Sequence, residues 1–131
     1  MSAGRAGLRL ELLPGDYCVE RLEPGADPGP APEGEPLHSV TRTPEETSVV
    51  CRSELAPAHA RLEGPFAALR VAGTLDFSLT GVLSGLTTPL AAGGVSVFAI
   101  STYDTDYLLV PKDSVGPAAE RLREAGHDVS I

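Results

Sequence analysis

The sequence contains few aromatic, sulfur-containing and positively charged residues. It has no tryptophan, three phenylalanines and two cysteines among 131 residues, and 18 aspartates and glutamates outnumber its 10 lysines and arginines. Binding to the phosphate backbone of nucleic acid requires clustered Lys and Arg side chains that displace counterions. With a formal net charge of -8, we expect no nucleic-acid partner.

Long hydrophobic runs are also absent. No apolar stretch approaches the roughly 18 to 20 residues that a membrane-spanning helix requires. The first seven residues lack the apolar core of a secretory signal. These two observations predict a soluble, cytoplasmic protein without a membrane partner.

Potential metal ligands are scattered along the chain. Cys18 and Cys51 lie in separate strand-like segments without C-x-x-C spacing, and His38, His59 and His127 are far apart. This pattern predicts no metal site and no cofactor, with both cysteines as small buried apolar residues and the histidines at the surface or partly buried. A disulfide would need neighbouring strands and disagrees with a cytosolic location.

Patterns typical of catalysis are missing as well. The Ser, Cys and His residues do not form a nucleophile-base-orienter arrangement, and the chain has no glycine-rich phosphate loop. Asp104 and Asp106 are two residues apart in a predicted turn, without a recognisable acid-base partner. The sequence therefore predicts no catalytic residues and a protein that is not an enzyme.

The first half of the chain has the composition of short strands separated by turns. Alternating leucines predict a half-buried strand over residues 8–13. Residues 23–36 contain five prolines and three glycines, which predicts a surface loop. The other predicted elements are a strand over 17–22, a hairpin formed by 37–43 and 47–52, and a connector over 53–66.

The second half shows clearer periodicity. Leu69, Val71 and Leu75 lie on one face of a predicted strand, with Gly73 where a bulge is expected. Residues 95–110 contain two apolar runs of strand length joined by a short polar turn. This pattern predicts a β-hairpin.

A helix is predicted between that strand and the hairpin. A hydroxyl of Ser78 or Thr80 can cap its first turn. Pro89 should bend the helix near its end, and Gly93-Gly94 should end it. Its apolar stripe has the spacing i, i+3, i+4, i+7, i+11: Leu79, Val82, Leu83, Leu86 and Leu90.

A second helix and a last strand follow the hairpin. Ser114 is a candidate cap, Gly126 should end the helix, and residues 128–131 form a short strand. The apolar stripe of this helix comprises Val115, Ala118, Ala119 and Leu122. The order strand, helix, strand, strand, helix, strand predicts an α+β, ferredoxin-like unit with both helices on one face of a four-stranded antiparallel sheet.

Several segments of the second half, in this order, resemble a known family: Leu75-Asp76-Phe77, Thr80-Gly81-Val82-Leu83, Pro89-Leu90-Ala91, Ser96-Val97-Phe98 and Ser101 to Val110. The family is that of the ACT domains, small regulatory modules that bind amino acids. The sequence resembles in particular the tandem-ACT proteins related to the cytosolic arginine sensor of the TOR pathway, and also ACT domains of the aspartate kinase type. The likeness extends weakly to the predicted hairpin around Ser39 to Glu46.

The resemblance implies two ACT-like units. Residues 1–62 would form a degenerate unit that is mostly strand, and residues 63–131 a complete β-α-β-β-α-β unit. It also implies a non-enzymatic regulatory protein that binds arginine or another α-amino acid at an interface between ACT domains and acts on an unidentified partner protein. Because the related sensors contain four such units, a chain with two is expected to form a homodimer.

An α-amino acid carries a carboxylate and an ammonium group, so its receptor needs oriented N–H donors and nearby acceptors. The predicted helix start offers free backbone N–H groups, and Gly81 permits close approach of a ligand. The resemblance implies that Ser96, Val97 and Asp106 also contact the ligand. The candidate ligand-binding residues are Ser78, Leu79, Thr80, Gly81, Val82, Ser96, Val97 and Asp106.

Each candidate also has a purely structural interpretation. Residues 78–82 can be an ordinary helix start, Ser96 and Val97 plain strand residues, and Asp104 and Asp106 turn residues. An alternative function follows from this interpretation. The chain would then be a protein-protein interaction module that dimerises through its sheets and binds no small molecule.

Overall fold

The computed structural model describes residues 7–56, 61–75 and 81–131. It contains eight strands and two α-helices within these ranges. In chain order they are β1 (Arg9–Leu12), β2 (Tyr17–Leu22), β3 (Ser39–Arg42), β4 (Thr47–Arg52), β5 (Arg61–Val71), α1 (Val82–Ala92), β6 (Phe98–Ser101), β7 (Asp106–Pro111), α2 (Val115–Glu124) and β8 (Asp128–Ser130). None of the described helices has the length and apolar character needed to cross a bilayer.

The chain divides into two compact units that are not contiguous in sequence. One unit, here called the helical unit, comprises residues 1–14 and 67–131, and the other, the strand unit, comprises residues 15–66. In the structure, β1 belongs to the unit that contains both helices, and the predicted boundary between residues 62 and 63 stays a prediction. The assignment of residues 1–62 as a degenerate ACT-like domain stays a prediction.

The sheet of the helical unit has the strand order β6-β7-β5-β1-β8. Strand β1 is antiparallel to β5, with Leu10 opposite Val71, and parallel to β8, with Leu10 opposite Val129. The sheet is therefore mixed, and the expected four-stranded antiparallel sheet is wrong because β1 lies between β5 and β8. The α+β class and the ferredoxin-type order of the later elements are confirmed.

One hydrophobic core joins the two helices to this sheet. Leu86 and Leu90 of α1 and Leu122 of α2 are fully buried, as the predicted stripes require. Leu83 departs from the prediction, because 36% of it is exposed. The buried members of this core are Leu10, Ala67, Leu69, Val71, Leu86, Leu90, Val95, Leu108, Val110, Ala118, Ala119, Leu122 and Val129.

The start of α1 differs from its prediction. The helix begins at Val82, its N-cap is Gly81 with a φ of 75°, and no side chain in the described part of the chain caps it. A hydroxyl cap from Ser78 or Thr80 was expected, and both residues lie outside the described ranges. Gly81 occupies this cap because a side chain is strained in the left-handed region of backbone space.

The strand unit is built from β2, β3, β4 and the first part of β5. Strand β2 pairs with β4 and β5, and β3 pairs with β4, all antiparallel. The predicted strand over 17–22 and the hairpin of residues 37–52 are confirmed. The predicted connector over 53–66 is wrong from Arg61 onward, because the exposed residues at the start of β5 show no apolar alternation that would mark a strand.

Cys18 and Cys51 lie directly opposite each other on β2 and β4. Both are free and each is 2% exposed, with their Sγ atoms 3.9 Å apart. Burial raises the pKa of the Cys51 thiol to about 12 and that of Cys18 in the same direction. Both thiols therefore stay protonated at neutral pH and pack as small apolar groups.

Candidate functional site

A cavity of about 260 Å³ lies in the helical unit, between the start of α1 and the turn that joins β6 to β7. Its described lining residues are Leu75, Gly81, Val82, Leu83, Ser101, Thr102, Tyr103, Asp104, Thr105 and Asp106. Pockets for drug-sized molecules typically measure about 300–1,000 Å³. This cavity, called the α1 cavity below, is the right size for a smaller molecule.

The helix end at this cavity carries backbone donors. The first N–H groups of any α-helix have no partner inside the helix, and the helix dipole places partial positive charge there. Among the described residues no side chain caps these groups at α1, and the first turn contains no acidic residue. Gly81, Val82 and Leu83 all line the cavity, so this helix end can accept an anionic group.

The opposite wall is a turn held by its own hydrogen bonds. The backbone N–H and the hydroxyl of Thr102 donate to the carbonyl oxygen of Thr105, at 2.8 and 3.0 Å. The hydroxyl of Thr105 is buried and donates to the carbonyl oxygen of Val71 at 2.7 Å. The N–H of Leu75 donates to the carbonyl oxygen of Asp104 at 2.7 Å. These bonds fix the turn against β5 and preorganise the wall.

Asp106 places a carboxylate in this wall. It begins β7, pairs with Ser101 across the hairpin and is 9% exposed. Within the described ranges its carboxylate makes no hydrogen bond or ion pair, and the described lining contains no Lys, Arg or His. A carboxylate that is mostly buried without a cationic partner is costly. It is thus suited to accept hydrogen bonds from a cationic ligand.

The structure brings together three of the predicted site residues. Gly81, Val82 and Asp106 line the α1 cavity. Ser96 and Val97 precede β6 and are not among its described lining residues, with Ser96 exposed and Val97 packed against the core. Ser78, Leu79 and Thr80 lie outside the described residues. All eight assignments as ligand contacts stay predictions.

Sequence reasoning missed the part of the lining that lies between the two hairpin strands. Ser101, Thr102, Tyr103 and Thr105 were treated only as parts of a hairpin, and Leu83 as a core residue. A turn with a threonine at each end and two aspartates was a usable signal, because Thr and Asp side chains fix turns by local hydrogen bonds. The exposure of Leu83 depends on where the helix begins, which the sequence did not reveal.

A second cavity of about 240 Å³ lies in the strand unit. Its lining residues are Gly15, Asp16, Arg52, Ser53 and Glu54. The guanidinium of Arg52 donates to both carboxylate oxygens of Glu35 at 2.7 Å and also contacts Glu54. The bonds to Arg52 hold the pKa of Glu35 below its usual range, and Glu35 raises the pKa of Arg52.

Metal binding has no support in the described part of the chain. There, no three His, Cys, Asp or Glu residues form a group that could hold a metal ion. His127 was expected at the surface or partly buried, but it is buried with 6% exposure. His38 is half-buried, and His59 lies outside the described ranges.

Comparison with known sequences finds a family match for part of the chain. Residues 61–124 match the model of the ACT domain. Over 56 residues the chain is 38% identical to the cytosolic arginine sensor for mTORC1 subunit 1 of Homo sapiens, and equally to that of Bos taurus. The match covers 42% of this chain but only 17% of the length of these curated relatives.

Comparison with solved structures covers nearly the whole chain. Protein Atu0741 from Agobacterium tumefaciens is 32% identical, with a TM-score of 0.85 over 95% of this chain and 92% of that protein. The ligand-free regulatory subunit of aspartate kinase from Thermus thermophilus has a TM-score of 0.62 over 88% of this chain and 96% of its own, at 12% identity. At that identity the likeness shows the fold alone. Residues 61–124 thus match an ACT domain, and the likeness to Atu0741 over nearly the whole chain shows that the two proteins are related.

Proposed function

We propose that this chain is a non-enzymatic regulatory protein that binds an α-amino acid in the α1 cavity. The observation that supports the proposal is that the start of α1 and the carboxylate of Asp106, which have no side-chain cap and no ionic partner among the described residues, line the same cavity. A receptor for a zwitterion needs a hydrogen-bond donor and an acceptor that are no farther apart than the ligand is long. A volume of about 260 Å³ suits a ligand of that size.

The ligand's two charged groups would be recognised by different walls. The N–H groups at the start of α1 would donate to the ligand carboxylate, and the helix dipole favours negative charge there. The carboxylate of Asp106 would accept hydrogen bonds from the ammonium group or from a cationic side chain. Such charge-assisted bonds are roughly twice as strong as neutral ones.

The charges of the cavity favour a cationic amino acid. Asp104 and Asp106 both line it, and none of the other described lining residues is ionisable except Tyr103. An anionic side chain would be repelled by the two carboxylates. The curated relative is named an arginine sensor, which agrees with this preference. We therefore propose arginine as the first ligand to test.

Regulation requires that the ligand bind one arrangement of the protein more tightly than another. We propose that the chain forms a homodimer, that the ligand binds near an interface between ACT domains of the two copies, and that a partner protein recognises the liganded arrangement. Light scattering tests the dimer directly. A mass near 27 kDa, about twice the 13.6 kDa of the chain, supports it, whereas a strict monomer at all concentrations contradicts it.

A thermal-shift panel of the twenty amino acids tests the proposed function. A ligand that binds only the folded form stabilises it and so raises the melting temperature. At one hundred times its dissociation constant, the ligand adds about 2.7 kcal/mol of stability. We expect arginine or another cationic amino acid to raise it and glutamate to have no effect. No shift with any amino acid would contradict amino-acid binding.

A second candidate function is supported by the exposed strand edges. Strand β6 pairs only with β7 among the described strands, and 40% of its Phe98 is exposed. Strand β3 pairs only with β4 in the described part of the chain, and 39% of its Val40 is exposed. Unpaired strand edges are templates for pairing with another chain. A dimer without any response to amino acids would favour an interaction module over a sensor.

A further inference from the structure

Helix α1 contains a proline where a backbone donor is needed. In an α-helix the N–H of each residue donates to the carbonyl oxygen four residues earlier. Pro89 lies inside α1 and has no N–H. The carbonyl oxygen of Gly85 therefore lacks its usual helical donor.

The side chain of His127 supplies a donor to this carbonyl. Its Nε2 lies 3.1 Å from the oxygen of Gly85. Because a carbonyl oxygen only accepts, a ring hydrogen is assigned to Nε2, which donates to it. The ring is 6% exposed, and its buried Nδ1 has no hydrogen-bond partner in the part of the chain that the structure describes. The bond to Gly85 is thus the polar contact that this buried ring makes within the described residues.

The backbone of His127 is fixed by the end of α2. Its N–H donates to the carbonyl oxygen of Leu122 at 3.0 Å, and the N–H of Gly126 donates to that of Arg123 at 3.0 Å. This pair of bonds, with Gly126 at a φ of 98°, is a Schellman motif. The next residue, Asp128, donates to the carbonyl oxygen of Leu8 and starts β8. The imidazole is therefore held on a rigid support.

The helix that receives this bond is intrinsically weak. Gly and Pro are the two least favourable residues in a helix interior, and α1 has Gly85 and Pro89 within eleven residues. Leu86 and Leu90 anchor its inner face in the core. Those apolar contacts hold the middle and end of α1 and supply no donor to Gly85.

The bond from His127 is connected to the α1 cavity through one helical turn. Gly85 accepts from His127, and its own N–H donates to the carbonyl oxygen of Gly81 at 2.9 Å. The hydroxyl of Ser84 donates to the same oxygen. Gly81 lines the cavity and caps the helix that presents the backbone donors.

We propose that His127 is a positioning residue for the α1 cavity, replacing the backbone donor that Pro89 lacks and so holding the first turn of α1 in its ligand-binding position. This inference rests on the proposed function for its ligand-binding consequence. The hydrogen-bond replacement itself can be tested without any ligand. If Pro89 creates the need for His127, then restoring an N–H at residue 89 must remove that need.

A double-mutant cycle tests this dependence. His127→Phe keeps a buried ring and deletes the donor, and Pro89→Ala restores the helical donor to Gly85. With Pro89 present, we expect His127→Phe to speed amide exchange in the first two turns of α1 about tenfold, the effect of one hydrogen bond. In the Pro89→Ala background we expect less than a threefold change. Equal effects of His127→Phe in the two backgrounds would overturn the proposal.

Titration with L-arginine tests the consequence for the α1 cavity in wild type, the two single variants and the double variant. We expect His127→Phe to weaken arginine binding several-fold. In the double variant, we expect Pro89→Ala to restore the affinity. If wild type binds arginine and His127→Phe leaves the affinity unchanged, the positioning role is wrong. If neither arginine nor any other amino acid binds wild type, the proposed function fails, while the exchange measurements still decide whether His127 replaces the donor.

Discussion

The cavities of the two units have similar volumes, 260 and 240 Å³, but their charged groups differ in whether they already have partners. In the strand unit, Arg52 is bonded to both oxygens of Glu35 and contacts Glu54. In the helical unit, Asp106 has no ionic partner among the described residues, and the start of α1 has no side-chain cap.

This difference teaches that volume alone does not make a binding site. A group that is satisfied inside the protein must lose its partner before it binds a ligand, which leaves a polar group unpaired at a cost of about 1–3 kcal/mol. Groups left unsatisfied gain a partner only when a ligand arrives. This contrast supports the proposed zwitterion site at the α1 cavity. The charged groups of the second cavity are instead explained by their contribution to the stability of the fold.

The largest expected effect is on ligand affinity when the free carboxylate is neutralised. Asp106→Asn keeps the side-chain shape and removes the charge, so we expect arginine affinity to fall about 10- to 100-fold, the value of a hydrogen bond to a charged group. Isothermal titration measures this change. Arg52→Met is the matched control in the other cavity and should leave the affinity unchanged. Equal affinities of wild type and Asp106→Asn would remove Asp106 from the site.

The next effect concerns the helix cap. Gly81→Ala places a side chain at a φ of 75°, which should destabilise the protein by about 1–2 kcal/mol and weaken arginine binding. Gly85→Ala is the matched control, because a Cβ there meets no atom within 4 Å. It should stabilise α1 by up to about 1 kcal/mol. Urea denaturation of both variants measures whether their free energies of unfolding change in opposite directions. Destabilisation by Gly85→Ala would contradict this description of α1.

A smaller effect is expected at the exposed carboxylate of the same turn. Asp104 is exposed, unlike Asp106, so solvent screens its interaction with a cation. Asp104→Asn should weaken arginine binding by about 0.5 kcal/mol or roughly twofold, as is usual for exposed charge pairs. Titration calorimetry would show whether the two aspartates differ as their burial predicts. A larger loss for Asp104→Asn than for Asp106→Asn would reverse their assigned roles.

The pairing of Glu35 with Arg52 should affect how the stability of the protein depends on pH. The folded-state pKa of Glu35 is lowered, chiefly by its hydrogen bonds to Arg52. Its contribution to stability is therefore present above its ordinary pKa of 4.5 and is lost as the pH falls through the lower folded value. Melting temperatures from pH 7 to pH 3 should fall less steeply for Glu35→Gln than for wild type. Parallel curves would contradict the pairing of Glu35 with Arg52.

The sequence predicted the elements whose side chains alternate between core and solvent. The stripe of α2 and the hairpin of residues 95–110 were recognised because their periodicity reflects burial, and strand β2 was recognised by its strand-like composition. The first part of β5 was missed because residues 61–65 are exposed on both faces. The place of β1 between β5 and β8 was also missed, since pairing between distant segments leaves no local signal.

The candidate site was predictable to the extent that its chemistry is local. Asp106 and Gly81 were identified from a family likeness and from helix-start chemistry, and both line the α1 cavity. Ser96 and Val97 were predicted from the likeness and from the hydroxyl and backbone groups expected at a strand start, and they do not line its described part. The bond from His127 to Gly85 was not foreseen, because it joins residues 42 positions apart.

Nuclear magnetic resonance spectra recorded during an arginine titration test the central claim most directly, because they locate the ligand. We predict that the backbone amide signals of Val82, Leu83 and Asp106 shift in a saturable manner, while those of Arg52 and Ser53 in the other cavity stay fixed. Saturable shifts confined to residues outside the α1 cavity, or no shifts at millimolar arginine, would contradict an arginine site between the start of α1 and the β6–β7 turn.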